Sequence, residues 1–272
     1  MYGAIIGDII GSIYEFEDGR ILDRTEFFKD TSSFTDDSVM TIAVGEALMN
    51  VGFNATQEKI KQHVVNSMQK WGKLYPDAGY GERFSQWIKD KHPTPYNSFG
   101  NGSAMRVSAV GWLYDSIERT REVARATAEV SHNHPEGIRG AETIASVIYL
   151  ARIGKSKQEI REYVEQEFGY DLNISCEELQ NAHITNVTCQ ITVPEAIVAF
   201  LAGQNFEDVI RIAVSFGGDT DTLTAIAGSM AEAYYGVSYW MIAECRKRLD
   251  KQMLKTVDKF QTRIAKIINI GG

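Results

Sequence analysis

Apolar residues recur at helical spacing along most of the chain, whereas the alternation typical of a half-buried strand is scarce. A helix over 157–168 has the clearest ends, because Ser156 and Glu159 form a capping box and Gly169 follows the last apolar residue. Pro135 suits the first turn of another helix. The same signals predict helices over 3–15, 36–49, 56–71, 104–114, 119–130, 135–152, 194–203, 206–215, 221–235, 239–250 and 254–268.

One run, ITNVTCQITV at 184–193, has the β-branched composition of a strand, although it fits equally well as an extended lead-in to a helix. Three long stretches, 17–34, 72–103 and 170–192, show no clear periodicity, and loops of that length are often functional. No Pro- or Ser-rich linker divides the chain, and only five prolines are present. We therefore expect one all-α domain over 1–272.

The charge balance disfavours non-specific binding to nucleic acid. The net charge is −8 over 272 residues, and non-specific binding to nucleic acid needs a concentrated basic face. A small phosphorylated ligand remains compatible with this charge. Cys176, Cys189 and Cys245 are scattered without a C-x-x-C pair, which indicates a reducing compartment.

Neither apolar segment of the chain has the features of a targeting or membrane sequence. The first sixteen residues lack a basic start and contain Asp8 and Glu15, which excludes a signal peptide. The apolar stretch 223–243 contains Glu232, which argues against a membrane span. We expect a cytoplasmic protein that is a monomer and does not enter the membrane.

An acidic motif, Thr35-Asp36-Asp37, stands where a polar loop meets an apolar-periodic run. Thr35 can cap that helix, and the two aspartates then complement its dipole, which is a purely structural interpretation. Carboxylates at such a position can also bind a cation. This motif alone does not decide between the two.

A second acidic motif, Asp219-Thr220-Asp221-Thr222, again precedes an apolar helix and follows Gly217-Gly218, which permit a sharp turn. Four aspartates brought together without a cation would repel one another strongly. Mg²⁺ and Mn²⁺ prefer such hard oxygen ligands, and two-metal sites hold their ions roughly 3.5–4 Å apart. We therefore predict that two Mg²⁺ or Mn²⁺ ions are bound by Thr35, Asp36, Asp37, Asp219, Asp221 and Thr222.

The first predicted helix carries glycines at Gly3, Gly7 and Gly11, which form one narrow stripe. Each interior glycine lowers the stability of a helix by about 1 kcal/mol relative to alanine. Close packing of a second helix against the stripe explains why glycines are present there. Asp8 and Glu15 belong to a separate polar face. Glu15, beside a long loop, could orient or deprotonate a water molecule.

A turn-rich loop, 97–106, opens into a predicted helix, and its small residues suit a phosphate group, although such loops are often plain turns. Two of the five histidines, His132 and His134, lie at a helix junction. Their spacing does not favour zinc. We predict that His132 contacts substrate and that His134 caps the following helix.

Taken together, these residues resemble the ADP-ribosylglycohydrolase family, which includes the dinitrogenase reductase-activating glycohydrolases. The matching pieces occur in the family's order over roughly residues 3 to 236, and six in order are highly specific. They are Gly3-x-x-x-Gly7-Asp8 through Tyr14-Glu15, Phe34-Thr35-Asp36-Asp37, Gly79-Tyr80-Gly81, Gly100 through Arg106, Ser131-His132 and Gly217 through Thr222.

The resemblance implies an orthogonal helical bundle with a binuclear Mg²⁺ or Mn²⁺ centre on the six ligands predicted above. It places Glu15 near the scissile bond and His132 at a ligand-contacting position, and it assigns the loop around ADP-ribose to Ser98, Phe99, Gly100, Asn101 and Gly102. Ser38 stands where the family often has threonine, which we expect to matter little. Residues 170–192 match no motif of the family.

The expected reaction is hydrolysis of the bond between C1″ of ADP-ribose and an acceptor, with ADP-ribose, an ADP-ribosylated protein or a small molecule as partner. Glu15, Asp36 and Asp37 are the candidate catalytic groups, and either aspartate could protonate the leaving group. Two alternatives remain: a different two-metal nucleotide hydrolase, and a non-catalytic ADP-ribose-binding protein.

Overall fold

The computed structural model describes residues 1–16, 26–182 and 185–270, and the described residues are predominantly helical. Their one β-bridge is isolated and joins Gly100 to Thr188. The all-α prediction is therefore confirmed. The helices are α1 (Tyr2–Gly11), α2 (Asp36–Val51), α3 (Gln57–Leu74), α4 (Glu82–Lys89), α5 (Gly102–Met105), α6 (Ser108–Leu113), α7 (Ile117–Glu129), α8 (Pro135–Arg152), α9 (Lys157–Phe168), α10 (Cys176–Ala182), α11 (Cys189–Ala202), α12 (Phe206–Phe216), α13 (Thr220–Tyr235), α14 (Tyr239–Arg248) and α15 (Lys251–Ile270).

Helices with capping signals have the ends that those signals predict. At the start of α9, the Ser156 side chain accepts a hydrogen bond from the Glu159 N–H, and the Glu159 carboxylate accepts one from the Ser156 N–H. Gly169 closes α9 in the left-handed conformation with φ 68°. The Nδ1 atom of His134 accepts a hydrogen bond from Glu136 N–H, so His134 caps α8 as predicted.

Most predicted helices differ from the observed ones by a few residues at an end, but one ends well before its predicted end and one is interrupted. The helix expected over 3–15 ends at Gly11, because Ser12 Oγ donates to the Ile9 carbonyl and Tyr14 N–H donates to Gly11, which tightens the chain into turns. The helix expected over 104–114 is broken between α5 and α6. The break lies beside Arg106, whose side chain is fully buried.

The strand-like run 184–193 is not a strand in its described part, since α11 begins at Cys189. Cys189, Val193, Ile197 and Phe200 are fully buried, and their helical spacing overrides the local β preference. The irregular stretch 72–103 contains α4, and 170–192 contains α10 and the start of α11. Residues 17–25 of the stretch 17–34 lie outside the described residues.

The glycine stripe of α1 packs directly on α13, as predicted. A Cβ atom added at Gly7 would collide with the Thr224 backbone, and one at Gly11 would collide with the Thr220 carbonyl. Hydroxyl groups of α13 fill the contact, because Thr224 Oγ1 donates to Gly7 O at 2.7 Å and Thr220 Oγ1 donates to Gly11 O at 2.9 Å. The two backbones therefore lie close enough to bring Asp8 beside the start of α13.

Helix α13 lies at the centre of the bundle, where it packs against α1, α8, α11 and α12. Residues of α13 from Thr220 to Ala231 are buried throughout, so no side of this part of the helix faces bulk solvent. None of the helices in the described ranges combines the length and hydropathy that a bilayer-spanning segment needs.

Candidate active site

Helices α1, α2 and α13 bring the two acidic motifs to one cavity of about 550 Å³. Most of the predicted site residues line this cavity. Phe99 is the exception; it is 46% exposed beside the loop. The predicted residues that line the cavity are Glu15, Thr35, Asp36, Asp37, Ser98, Gly100, Asn101, Gly102, His132, Asp219, Asp221 and Thr222.

Two groups of carboxylates within the described residues are close enough to hold a cation. One is formed by Asp8, Asp37 and Asp221, and the other by Glu15, Asp219 and Asp221, with ligand atoms within 4.8 Å of one another in each group. Asp221 belongs to both groups. Two cation positions sharing one aspartate are therefore compatible with this geometry.

Asp8 is the residue whose role sequence reasoning missed. Its carboxylate accepts hydrogen bonds from Thr35 N–H at 2.9 Å, from Thr35 Oγ1 at 2.7 Å, and from Ser38 N–H at 3.0 Å. The Ser38 hydroxyl donates to it as well, a bond that either serine or threonine can make. The sequence marked Asp8 as a charged residue on an otherwise apolar helix and as part of the first family motif, but gave it no role. Its hydrogen-bond partners, Thr35 and Ser38, belong to the start of the next helix, α2. No short sequence motif links them to Asp8.

The two threonines of the predicted ligand set both donate their hydroxyl hydrogen to an aspartate. Thr35 Oγ1 donates to Asp8, and Thr222 Oγ1 donates to Asp37 Oδ2 at 3.0 Å. A hydroxyl that donates its hydrogen in this way keeps oxygen lone pairs for a cation. This orientation suits Thr35 and Thr222 as hard-oxygen ligands.

The electrostatics of the aspartates show an excess of negative charge. Burial, followed by repulsion from Asp221, raises the pKa of Asp36, Asp37 and Asp219 well above the ordinary value. Burial and Asp221 also raise the pKa of Asp8, to about 7. Among the ion pairs that the described residues form with lysine or arginine, none involves these aspartates.

The donor set fits a divalent cation. Asp37 Oδ1 is buried and has no hydrogen-bond partner among the described residues, which is costly for a carboxylate oxygen. A cation beside Asp37 and Asp221 would satisfy that oxygen and offset the repulsion that raises the pKa of Asp37. The residues present therefore accommodate Mg²⁺ or Mn²⁺.

Glu15 reaches the cavity from a turn rather than from the end of a helix. Phe16 N–H donates to the Gly218 carbonyl at 2.8 Å, which ties this turn to the turn before Asp219. Gly217 and Gly218 have φ of 73° and 72°, a region that favours glycine, as the sequence predicted. Burial and the nearby Asp221 raise the pKa of Glu15.

The loop 98–102 is pinned at both sides. Asn101 N–H donates to Val187 O and Cys189 N–H donates to Phe99 O, each at 2.9 Å. The Asn101 amide donates to Asp219 Oδ2 at 2.6 Å, so the loop and the acidic cluster are directly joined. Helix α5, which follows the loop, is only four residues long, so backbone dipoles add little there.

His132 lines the cavity between aromatic side chains. Its ring lies 5.8 Å from the Tyr96 ring and 6.4 Å from the Phe84 ring, centre to centre. Burial, with Arg106 and Arg83 nearby, holds the pKa of His132 well below its ordinary value, so the imidazole is neutral. Sequence reasoning named His132 but not Tyr96, Phe84 or Arg83, which carry no motif.

Comparisons with known proteins agree with this arrangement. A family model described as ADP-ribosylglycohydrolase matches residues 1–268. ADP-ribosylhydrolase ARH3 of Mus musculus is 25% identical over 86% of this chain and 82% of its own length, and the Homo sapiens ARH3 is also 25% identical. The ADP-ribosylarginine hydrolase Tri1 of Pseudomonas putida is 23% identical over 88% of this chain and 70% of its own length.

A solved structure shares the fold. It is titled ADP-ribosylglycohydrolase-related protein complex and superposes with a TM-score of 0.67 and 22% identity, covering 97% of this chain and 92% of that one. The predicted bundle type is thereby confirmed. Because the family model spans almost the whole chain, this chain belongs to the ADP-ribosylglycohydrolase family and is a hydrolase that acts on ADP-ribosylated substrates.

Proposed function

We propose that this protein hydrolyses the glycosidic bond between C1″ of ADP-ribose and an acceptor, and that it uses two divalent cations, Mg²⁺ or Mn²⁺. The convergence of both acidic motifs on one cavity carries this proposal. The unpartnered, buried Asp37 Oδ1 supports a cation there in particular. Family membership supports the reaction class.

The cation ligands would be the carboxylates of Asp37, Asp219 and Asp221 together with the predicted oxygens of Thr35, Asp36 and Thr222. Divalent cations, when bound, supply Lewis-acid ligation of substrate hydroxyls and of water. Asp8 has a different task, because its carboxylate already accepts four hydrogen bonds from Thr35 and Ser38. It holds the start of α2 in place beneath the site.

Glu15 is the candidate for orienting water. It lies at the cavity edge, next to Asp219 and Asp221, and its side chain is exposed enough to reach substrate. Its raised pKa makes it a better proton acceptor than an ordinary glutamate. Asp36 and Asp37 remain the candidates for protonating the leaving group.

The acceptor can be an arginine nitrogen, a serine oxygen or a related group. One relative is named an ADP-ribosylhydrolase and another an ADP-ribosylarginine hydrolase, which supports arginine among the candidate acceptors. Val187, which lines the cavity, belongs to the segment 170–192 that matches no family motif. That segment is therefore a candidate for acceptor choice.

A substrate panel tests the proposal. Purified protein is incubated with arginine-, serine- and nucleic-acid-linked ADP-ribose, with Mg²⁺, Mn²⁺ or EDTA, and the products are separated. Release of intact ADP-ribose that EDTA abolishes is the expected result. AMP as the product would instead indicate a nucleotide pyrophosphatase. Tight binding of ADP-ribose without any release would indicate a non-catalytic ADP-ribose-binding protein.

A further inference from the structure

A chain of buried polar groups, Arg106–Ser131–His132, lies behind the cavity wall. Arg106 Nη2 donates to Ser131 Oγ at 2.9 Å and to the Thr127 carbonyl at 3.1 Å. Ser131 Oγ is in turn 2.8 Å from His132 Nδ1. Arg106 and Ser131 are fully buried, and His132 is 5% exposed.

The direction of these bonds follows from what each group can do. A guanidinium only donates, so Ser131 Oγ accepts from Arg106. The hydroxyl hydrogen then needs an acceptor, and among the described residues His132 Nδ1 is the partner within reach. If Nδ1 carried a proton instead, the buried hydroxyl would accept twice and its own hydrogen would have no acceptor, which is unfavourable.

With a bare Nδ1, a neutral imidazole carries its proton on Nε2. This second nitrogen faces the glycine turn of the loop 98–102, because a Cβ added at Gly102 would lie 3.1 Å from it and one at Gly100 would lie 3.7 Å away. Both glycines therefore leave space in front of Nε2. That space belongs to the cavity.

We infer that Arg106 and Ser131 are positioning residues that hold His132 as the neutral Nε2–H tautomer, so that it donates a hydrogen bond to an oxygen acceptor of the substrate. This inference rests on the proposed function for the identity of the substrate. The acceptor is a phosphate or ribose oxygen of ADP-ribose. Burial of the ring, followed by the charges of Arg106 and Arg83, lowers the pKa of His132 and so disfavours a charged imidazole.

The direct test is the protonation state of the ring nitrogens. The full chain is labelled with ¹⁵N-histidine, and the His132 signals are identified by their loss in His132→Gln. Protonated Nε2 with unprotonated Nδ1 from pH 6 to pH 8 is the expected spectrum. A proton on Nδ1 in the wild-type protein overturns the inference.

Variants then link the tautomer to binding. Ser131→Ala should populate both tautomers and weaken ADP-ribose binding roughly fivefold to tenfold by calorimetry. On a hydrolysed substrate, KM should rise while kcat changes less than twofold, because the contact is remote from the reacting bond. Ser131→Thr keeps the hydroxyl and should restore wild-type values.

The matched control is Ser146→Ala on α8, a fully buried serine whose hydroxyl donates to the Glu142 carbonyl. It should leave both the tautomer and ADP-ribose binding unchanged. Equal binding by Ser131→Ala and the wild-type protein would contradict the positioning role. Absence of ADP-ribose binding by the wild-type protein would contradict the proposed function instead, while the ¹⁵N spectrum still decides the tautomer.

Discussion

At the residue scale, Asp8 is the least favourably placed charge of the site, since its carboxylate is fully buried and forms no ion pair with a basic side chain among the described residues. Its hydrogen bonds come from Thr35, the N-cap of α2, and from Ser38 in the first turn of that helix. Asp8 therefore positions the motif Thr35-Asp36-Asp37 and also adds negative charge beside it. Placing these buried carboxylates together lowers the free energy of unfolding, and the arrangement that results is one that can bind a cation.

Removing the Ser38 hydroxyl tests the supporting role of Asp8. Ser38→Ala should lower the free energy of unfolding by about 1 kcal/mol, because one hydrogen bond to a buried carboxylate is lost. Urea denaturation in EDTA measures the change. Ser108→Ala is the matched control, because Ser108 is equally buried but its hydroxyl has no partner among the described residues. Equal losses in the two variants would contradict the account.

Glu195 on α11 provides a pH prediction away from the acidic cluster. Burial alone raises its pKa to about 7. Because the folded pKa lies above the unfolded value, the stability that Glu195 contributes is complete below about pH 4 and is lost as the pH rises through 7. The stability advantage of Glu195→Gln over wild type should therefore be roughly 2 kcal/mol larger at pH 8.5 than at pH 5.

Thermal or urea unfolding at the two pH values checks this prediction. Glu118→Gln, at an exposed position of α7, is the control for the loss of one negative charge. A stability difference between Glu195→Gln and wild type that does not change with pH would show that burial does not control this group.

At the scale of the elements, the sequence predicted the ends of those helices whose capping residues can be recognised in the sequence. Ser156 with Glu159 and Gly169 defined α9, and Pro135 defined the start of α8. Helix α4 carries no such side-chain cap, since its N-cap is Gly81. The start of α11 was missed because its β-branched residues favour a strand locally, and only burial on several sides makes them helical.

The contact between α1 and α13 is the element-scale feature on which the site depends. Gly7→Ala should destabilise the protein by about 3 kcal/mol or more, because the added methyl group meets the Thr224 backbone, which cannot move aside. It should also reduce hydrolysis, since the helices that hold Asp8 and Asp221 are forced apart. Circular dichroism melts and an ADP-ribose release assay measure the two effects.

Gly81→Ala is the matched control for stability. Gly81 has an ordinary negative φ, and a Cβ added there meets nothing within 4 Å. Its cost should be small, within about 0.5 kcal/mol of wild type. Similar destabilisation by Gly7→Ala and Gly81→Ala would show that close approach of the α1 and α13 backbones is not the reason for glycine in α1.

At the scale of the whole molecule, the acidic motifs were predictable but the geometry of the cavity was not. The two acidic motifs, Asp36-Asp37 and Asp219-Thr220-Asp221, lie more than 180 residues apart, and each was recognisable from its own residues. The rings of Phe84 and Tyr96 lie beside His132 only because α4 and the segment 96–98 pack next to it in the fold. Such contacts depend on long-range packing, which leaves no local pattern in the sequence.

Divalent cations should stabilise the whole fold, because the site exists only in the folded state. At about one hundred times the dissociation constant, a single bound ion contributes about 2.7 kcal/mol, which raises the melting temperature by roughly 5–10 °C for a chain of this size. Scanning calorimetry with Mg²⁺, Mn²⁺ or EDTA measures the shift. Asp37→Asn should abolish most of it, and an equal shift in that variant would contradict the assignment of Asp37.

The most direct test of the central claim is a titration of metal-free protein with Mn²⁺ while release of ADP-ribose from the best substrate of the panel is followed. We predict no release without metal and full activity at two ions per chain. We also predict a loss of roughly 100-fold or more in rate for Asp221→Asn, since Asp221 belongs to both carboxylate groups. Undiminished release of ADP-ribose by the metal-free protein would contradict it.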